Sequence, residues 1–369
     1  MSGIKELPLE VLQNLVESKT IEELSTEQLV SAFRKDRLLQ NLPDTGRFTI
    51  DPRSGEPIIY NPSRAIRPHD YPVDSDIKAE CPICAGNSTG ILDLAELNDG
   101  FTFINKNLYP VLYPPQIDKG NQKLRKRSPS GLHFVQWTST HHDRDWYNLP
   151  DEDCITVLSR LGALEKKLLS VSQDLACLDS QNQTTSPEKW FISIIKNVGS
   201  AVGGSLEHGH QQILLGDTAP RRILEDQKFL DNHSQVFSEY MLSANPPTLL
   251  IRDYGPAVLI VSKYMRRPYE MVLLLKDTNK RFIHDMDQAE IRSIALGWKN
   301  ASQVVRRLMP MINKEIAYNV ITHNGPGAGL YFEFLPYTQE QGGLEQLGLS
   351  VCQMEPNRAA KDIREQLPD

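Results

Sequence analysis

Little in the sequence favours a membrane, a nucleic acid or an extracellular location. The formal net charge is −7 and the pI is about 5.8, and no polybasic segment offsets this acidic balance, which argues against binding to nucleic acids or membrane surfaces. No run of about 18 apolar residues is present, and the first ten residues lack the segments of a signal peptide. We therefore expect a soluble cytoplasmic protein with no nucleic-acid or membrane partner.

Cysteine is also scarce. The 369 residues include five cysteines, an odd number, and two of them form the unit Cys81-Pro-Ile-Cys84. This pattern is typical of metal or redox chemistry in a reducing compartment and not of a secreted disulfide framework. The remaining composition, with 40% hydrophobic and 24% charged residues, is ordinary for a globular protein, so we expect one or two compact units.

Hydrophobic periodicity divides the chain into three parts. Residues 1–45 show helical spacing, with Ser25 and Thr26 as a start signal, and we expect them to form a helical appendage. A turn-rich β region begins at Phe48, and a helix, a polar Gln/Thr/Ser stretch and a strand follow. A similar order beyond Pro220 predicts a diverged repeat. The predicted elements are helices at 149–173 and 288–309 and strands at 190–196, 258–262, 271–276 and 317–322.

The strongest motif runs from Asn197 to Gln212 and reads NVGSAVGGSLEHGHQQ. A strand enters a glycine-rich loop and a second strand leaves it. Glycines 199, 203 and 204 permit backbone conformations closed to other residues and let peptide N–H groups approach an anion. The polar side chains of Asn197 and Ser205 add donors. We therefore expect a phosphate site formed by Asn197, Gly203, Gly204 and Ser205.

Three polar side chains follow this loop at every second position. His208, His210 and Gln212 are expected on one face of the exit strand, because strand side chains alternate. An imidazole oriented by a hydrogen bond to its other nitrogen can attack phosphorus, and we predict His210 as this nucleophile. The Gln212 carboxamide can donate to phosphate oxygens but cannot shuttle protons, which favours transfer over hydrolysis. The alternative, two histidines that are only solvated or packed in a core, leaves the adjoining glycine loop unexplained.

The Cys81-Pro-Ile-Cys84 unit has the spacing of two zinc ligands. Later histidines can complete a tetrahedral site, and we select His208 and His142, with His141 as an adjacent rival. Two alternatives are plain buried cysteines and a thioredoxin-like redox pair, although the βαβ setting of the latter is not apparent. We expect one structural zinc ion.

Four motifs together resemble the galactose-1-phosphate uridylyltransferase family of the histidine-triad superfamily. Residues 51–55 and the segment Ser63-Arg64-Ala-Ile-Arg67-Pro68 look like the opening strands and the phosphate-contacting Arg-x-x-Arg-Pro segment of that family. The Cys-x-x-Cys unit and His142 are similar to its zinc site. His208-Gly-His210-Gln-Gln212 matches its His-x-His-x-Gln signature, in which the first histidine binds zinc and the second is nucleotidylated.

The resemblance implies an α+β fold of two histidine-triad-like half-domains, at 46–218 and 219–369, each an antiparallel sheet with helices packed on it, after a helical extension at 1–45. It also implies a homodimer that transfers nucleotidyl groups through a histidine. We expect a UDP-glucose–hexose-1-phosphate uridylyltransferase that binds a nucleotide sugar and a sugar phosphate. The alternative enzyme is an ADP-sugar or dinucleoside polyphosphate phosphorylase that uses inorganic phosphate, and the non-enzymatic alternative is a nucleotide-binding scaffold.

The second half departs from the family pattern. Many uridylyltransferases carry another His-x-His there for an iron ion, whereas the matching stretch of this chain contains Tyr331 and Glu333. Only His323 remains as an obvious ligand, so the resemblance implies that this second metal is absent. We expect Glu333 to border the acceptor pocket and to bind sugar hydroxyls.

Overall fold

One ten-stranded antiparallel sheet organises the chain. The computed structural model describes residues 6–40, 47–68, 80–114, 117–118, 123–124, 129–179 and 190–368. In chain order the strands are β1 (Arg47–Ile50), β2 (Pro57–Tyr60), β3 (Ile91–Glu96), β4 (Phe101–Lys106), β5 (Ile117–Asp118), β6 (Lys123–Leu124), β7 (Gly131–Trp137), β8 (Phe191–Val198), β9 (His210–Gly216), β10 (Leu250–Asp253), β11 (Ala257–Ile260), β12 (Met271–Leu275), β13 (Tyr318–His323) and β14 (Tyr331–Pro336). The pairs β1–β2 and β5–β6 are separate hairpins.

The large sheet consists of two halves with the same internal order. Its strand order is β10-β11-β12-β14-β13-β8-β9-β7-β4-β3. If the five strands that each half contributes to this sheet are numbered in chain order, both halves run 1-2-3-5-4 from the outer edge to the centre. The two fourth strands, β8 and β13, pair at the centre, where Asn197 lies opposite Asn319. The repeated strand order agrees with the predicted repeat, and the two half-sheets join edge to edge into a single sheet.

The helices lie on both faces of this sheet. In chain order they are α1 (Leu9–Leu15), α2 (Thr26–Lys35), α3 (Arg37–Gln40), α4 (Asp151–Asp179), α5 (Arg221–His233), α6 (Phe237–Ala244), α7 (Gln288–Met311), α8 (Gly343–Gln346) and α9 (Pro356–Gln366). Helix α4 belongs to the first half and α7 to the second. Both pack into the main apolar core, where Trp146 stacks on Trp298 with ring centroids 4.5 Å apart.

The other face is covered differently in the two halves. Over the second half, α6 contributes Met241 to a small apolar cluster with β11, β12 and β14. Over the first half, α1 and the Cys81–Cys84 segment form another cluster with Trp137. Among the described residues this second cover is incomplete, and the side chains of β9 that face it border open cavities.

The expectation that the N-terminal extension is an appendage is wrong. Helix α2 begins with a capping box at Ser25 and buries Leu29, Val30 and Phe33 in the main core. The Phe33 ring meets Phe134 of β7 edge-on at 5.0 Å. A helix with one apolar face must cover that face, and the sheet offers the nearest apolar surface. The extension is therefore part of the folded unit.

The α+β fold class is confirmed, and the predicted long helices and central strands are present within a few residues of their expected bounds. Helix α4 extends to Asp179, six residues beyond the predicted end at Gln173. The polar stretch after α4 and parts of the N-terminal extension lie outside the described residues. Within the described ranges, no helix combines the length and the apolarity needed to cross a bilayer.

Candidate functional site

Strand β9 directs alternate side chains to opposite faces of the sheet. Gln211 faces the helices and is fully buried, where it bonds to Gln136 at 2.7 Å and to the Trp146 indole at 3.0 Å. His210 and Gln212 face the other side and line a common cavity. The period-two expectation therefore holds for His210 and Gln212.

His208 does not lie on this strand as expected. Strand β9 begins at His210, and the preceding Gly209 passes so close to the end of β7 that a Cβ atom there would lie 2.5 Å from Thr138 Oγ1 and 2.7 Å from Asp145 Cγ. The Gly209 carbonyl accepts from the Thr138 N–H at 3.0 Å. This bond extends the β7–β9 pairing by one residue, and His208, the next residue outwards, lies beside the two cysteines.

The imidazole of His210 has one nitrogen committed and one available. Nδ1 lies 2.8 Å from the His208 carbonyl oxygen, which can only accept, so Nδ1 carries the proton and Nε2 a lone pair. Burial, together with the nearby Lys196 ammonium, lowers the pKa of His210 to about 4. Lys196 itself donates to the His210 carbonyl at 3.0 Å and pairs with Asp145 at 2.9 Å. Near pH 7 the His210 ring is therefore neutral, and its hydrogen bond to the His208 carbonyl holds its orientation.

Four potential metal ligands converge beside this histidine. One donor atom from each of Cys81, Cys84, His142 and His208 lies within 4.8 Å of the others. His208 Nδ1 is 3.7 Å from Cys81 Sγ and 3.5 Å from Cys84 Sγ. Metal–ligand lengths for tetrahedral zinc place a sulfur and a nitrogen ligand about 3.6 Å apart. The donor set and its spacing therefore fit zinc.

The surroundings of this cluster also suit a metal site. His208 Nε2 is 2.8 Å from the Ser139 carbonyl, which leaves Nδ1 unprotonated towards the cysteines. Hydrogen bonding with Cys84 lowers the pKa of Cys81 to about 2, so that the thiolate required for metal binding is favoured. The rival His141 turns away and lies 3.1 Å from both Glu6 and Asp99. The structure thus brings His142, and not His141, to the cluster.

A cavity of about 190 Å³, here named cavity A, lies over β7 and β9. Its lining includes Arg64, Arg67, Trp137, Ser205, His210 and Gln212. Burial and the neighbouring Arg67 lower the pKa of Arg64 to about 10, so that its guanidinium is still charged at neutral pH. The 3₁₀ segment Pro62–Ile66 contains Arg64, and Arg67 follows it directly as the C-cap residue. Cavity A therefore combines two cations, an alcohol, a carboxamide and the His210 ring.

Gly203 and Gly204 contribute differently from what was expected. The N–H groups of Gly203 and Gly204 donate to Ser200 and Gly199 carbonyls within the loop, at 3.1 and 3.0 Å. Neither glycine lines a described cavity. A Cβ at Gly204 would lie 2.7 Å from the Gly199 oxygen, and Gly203 has a φ of 84°. The glycines shape the turn that brings Ser205 to cavity A, and their N–H groups are not available to an anion.

A second cavity of about 470 Å³, cavity B, also borders His210. Its polar lining includes Asn197, Asp145, Lys196 and Arg306. The Asn197 carboxamide oxygen accepts from Asn319 at 2.8 Å, so its NH₂ group is directed elsewhere. Arg306 lies over the Tyr147 ring at 3.8 Å. Sequence patterns did not single out Asp145, Lys196 or Arg306, because their relation to His210 depends on contacts between distant segments.

Glu333 is not in either cavity that His210 borders. It lines a third cavity of about 420 Å³, cavity C, between β12, β14 and helices α5 and α6. Its carboxylate bonds to His323 Nε2 at 2.8 Å, and Asp226 lies 3.3 Å from His323 Nδ1. The strand register places Glu333 in the second half, away from β9, and the expectation that it borders the acceptor pocket stays a prediction.

Comparison with known proteins finds relatives in sequence and in fold. No family model matches the chain. The chain is 23% identical over 346 residues to ADP-glucose phosphorylase of Arabidopsis thaliana, covering 85% of this chain and 91% of that protein. It is 32% identical over 149 residues to galactose-1-phosphate uridylyltransferase of Thermotoga maritima, covering 40% of each.

A solved uridylyltransferase structure has the same fold, with a TM-score of 0.63 at 18% identity, covering 86% of this chain and 97% of that one. The sequence relationships extend through the segment that carries the His-x-His-x-Gln motif and across most of the chain. The chain is therefore a homologue of proteins named ADP-glucose phosphorylase and galactose-1-phosphate uridylyltransferase, which are nucleotidyltransferase-type enzymes.

Proposed function

We propose that this chain is a hexose-1-phosphate uridylyltransferase in which His210 Nε2 carries the nucleotidyl group between a nucleotide sugar and a sugar phosphate. The observation that carries the proposal is the 2.8 Å contact of His210 Nδ1 with the His208 carbonyl. It keeps the lone pair on Nε2 in a ring that borders cavity A. A neutral, oriented imidazole is the form that attacks phosphorus.

The reaction has two displacements at the α-phosphorus. In the first, the Nε2 lone pair forms an N–P bond, the bond from phosphorus to the bridging oxygen breaks, and the sugar 1-phosphate leaves. In the second, a phosphate oxygen of the acceptor attacks the same phosphorus and the N–P bond breaks. Nδ1–H continues to donate to the His208 carbonyl and stabilises the positive charge of the nucleotidylated ring.

Cavity A supplies the groups that such a transfer requires. Arg64 and Arg67 neutralise phosphate charge, and Ser205 and Gln212 donate to phosphate oxygens. Because Gln212 carries no titratable proton, it cannot activate water against the intermediate. On the cavity B side, Asn197 and Arg306 offer further donors for the leaving or entering phosphate.

A second candidate is a phosphorylase that passes AMP from an ADP-sugar to inorganic phosphate. It is favoured by the relationship to Arabidopsis ADP-glucose phosphorylase, which covers 85% of this chain. Glu333 lines cavity C and neither of the cavities beside His210, so its location does not favour a sugar phosphate over inorganic phosphate as the acceptor. The same histidine chemistry serves both candidates, which differ in the base and in the acceptor.

We propose zinc as the ion held by Cys81, Cys84, His142 and His208. All four positions of a tetrahedral ion are then filled by protein, which suits a structural role and leaves no position for a reactive water. Bound there, zinc fixes the Cys81–Cys84 segment to the peptide whose carbonyl orients His210.

The decisive experiment is intact-protein mass spectrometry after incubation with UDP-glucose or ADP-glucose and rapid quenching. A UMP or AMP adduct on the wild-type protein, absent from His210→Asn, supports the mechanism and identifies the base. His284→Asn is the matched control, since His284 lies in the second half beside Glu165. The second step is tested by adding galactose 1-phosphate or inorganic phosphate and following loss of the adduct. Absence of any adduct from the wild-type protein contradicts the proposal.

A further inference from the structure

A second histidine lies buried next to Gln212, and the mechanism above assigns it no role. His133 is 2% exposed and lies on β7. In the β7–β9 register, Val135 is opposite Gln212 and His133 is opposite Leu214. Residues two apart share a face, so His133 and Gln212 are diagonal neighbours on the face of cavity A. The Gln212 side chain is within hydrogen-bonding reach of the His133 ring.

One backbone contact fixes the tautomer of His133. The Val111 N–H donates to Nδ1 at 3.0 Å, so Nδ1 must carry a lone pair. Burial, with the nearby Arg64 guanidinium, lowers the pKa of His133 to about 3, and the ring is neutral in the physiological range. A neutral imidazole has a single N–H, and here it is at Nε2.

The geometry around Nε2 identifies the acceptor. The Asn107 carboxamide nitrogen lies 3.2 Å away, but the oxygen of that carboxamide already accepts from the Tyr109 N–H at 2.8 Å. Asn107 therefore presents N–H groups to Nε2–H, and two donors do not bond to each other. The hydrogen bond with Gln212 acts to raise the pKa of His133, as a bond in which the ring N–H donates does, so we assign the Gln212 carboxamide oxygen as the acceptor.

We infer that His133 is a positioning residue that fixes the orientation of the Gln212 carboxamide. Its Nε2–H holds the oxygen of Gln212, so that the NH₂ group is directed to the phosphate bound beside His210. A carboxamide rotated by half a turn would present its oxygen to the phosphate oxygens and repel them. This inference deepens the proposed function and rests on it for its catalytic consequence.

The test combines single-turnover kinetics with a double-mutant cycle. The rate constant for adduct formation on His210 is measured by quenched mass spectrometry for the wild type, His133→Leu and His133→Gln. We expect His133→Leu to lower this rate constant about 10–100-fold, with the Kd of the nucleotide sugar changed less than about threefold. His133→Gln, which keeps a donor near the position of Nε2, should restore most of the rate.

The cycle separates positioning from a general packing role. In a Gln212→Ala background, His133→Leu should change the rate constant less than about twofold, because no carboxamide is left to orient. An equal loss in both backgrounds, or a wild-type rate in His133→Leu, overturns the inference. If the wild-type protein forms no adduct, the proposed function fails separately. ¹⁵N NMR of the His133 ring still decides the orientation, since an Nδ1–H tautomer overturns it and an Nε2–H tautomer supports it.

Discussion

The two halves of the sheet share one strand order but place opposite kinds of histidine on the face away from α4 and α7. In the first half, His210 contacts a backbone carbonyl, and the pKa is lowered to about 4. In the second half, His323 lies between Asp226 and Glu333 and stacks on Tyr331 at 4.1 Å. Burial alone would lower the pKa of His323, but the two carboxylates more than offset it and raise the pKa to about 9.

The difference shows how one scaffold supports two uses of the same side chain. A neutral imidazole keeps a lone pair and can act as a nucleophile, whereas an imidazolium with both N–H groups bound to carboxylates has none. The partners of the ring, and not the strand order, decide which histidine is available for chemistry. We therefore expect covalent transfer to depend on the first half and the His323 ion-pair cluster to act in stability.

The largest effect should come from removing the His210 imidazole of the first half, compared with a change on the matching strand of the second half. His210→Asn should lower nucleotidyl transfer at least about 10³-fold without changing the fold, because no neighbouring group replaces the covalent nucleophile. Tyr331→Phe, which alters the strand of the second half that corresponds in topology to β9, should leave the rate within about threefold. Steady-state kinetics and circular dichroism measure both. A comparable loss in Tyr331→Phe would break the assignment of chemistry to the first half.

Removal of the metal cluster should destabilise the first half. Cys81→Ser should lower the free energy of unfolding by about 3–5 kcal/mol and abolish stoichiometric zinc, since a tetrahedral ion loses one of four protein ligands. Cys352→Ser, at a partly buried thiol outside the cluster, is the control and should change little. Elemental analysis and urea unfolding provide the measurements; unchanged stability and metal content in Cys81→Ser would contradict the zinc proposal.

The ion pair of the second half should act on stability and not on transfer. Glu333→Gln leaves His323 with one carboxylate and should cost about 2–3 kcal/mol of unfolding free energy, while the transfer rate stays within about threefold. Urea denaturation and kinetics with galactose 1-phosphate and with phosphate measure the two properties. A selective loss with the sugar phosphate would return Glu333 to the acceptor site.

Opposite pH responses should distinguish the halves. The folded pKa of His323, about 9, is above its ordinary 6.5, so its contribution is complete below pH 6.5 and is lost as the pH rises through 9. The folded pKa of His133, about 3, is below 6.5, so its contribution is complete above pH 6.5 and is lost as the pH falls through 3. At about 1.4 kcal/mol per pKa unit, the contribution is about 3 kcal/mol for His323 and about 5 kcal/mol for His133.

Unfolding free energies measured between pH 5 and pH 9.5 check these signs. In His323→Gln, the unfolding free energy should fall less as the pH rises above 6.5, with its acidic dependence unchanged. In His133→Gln, it should fall less as the pH drops below 6.5, with its alkaline dependence unchanged. If both variants flatten the dependence on the same side of pH 6.5, the contrast between the halves does not hold.

The smallest effects concern two glycines with similar backbone angles. Gly255 in the second half has a φ of 85°, and a Cβ added there would have no atom within 4 Å, so Gly255→Ala should cost about 1 kcal/mol for the backbone angle alone. Gly199 has a φ of 91°, and its Cβ would lie 2.6 Å from the Ile316 carbonyl. Gly199→Ala should therefore lower the free energy of unfolding more than Gly255→Ala does, and it should also slow transfer. Equal losses of stability in thermal unfolding would contradict the role of the Ile316 contact.

Local sequence pattern is sufficient to predict the elements and chemical groups that depend on residues close together in the chain. The helical and strand periodicities of α7 and β8 follow from side chains a few residues apart, and the close spacing of Cys81 and Cys84 and of His210 and Gln212 restricts them to common surfaces. The sequence also shows a faint repeat in the order of strands and helix. The order repeats because each half must cover a similar sheet.

Tertiary structure alone decided the relations that depend on distant contacts. It brought His142 to the cysteines while Glu6 and Asp99 hold His141, placed Glu333 in cavity C, and packed α2 against β7. It also made neighbours of His133 and Gln212, which are 79 residues apart in the sequence, through the β7–β9 register. Spacing along a chain limits which neighbours share a face, but strand register and helix packing determine which distant groups meet, and those contacts set protonation and orientation.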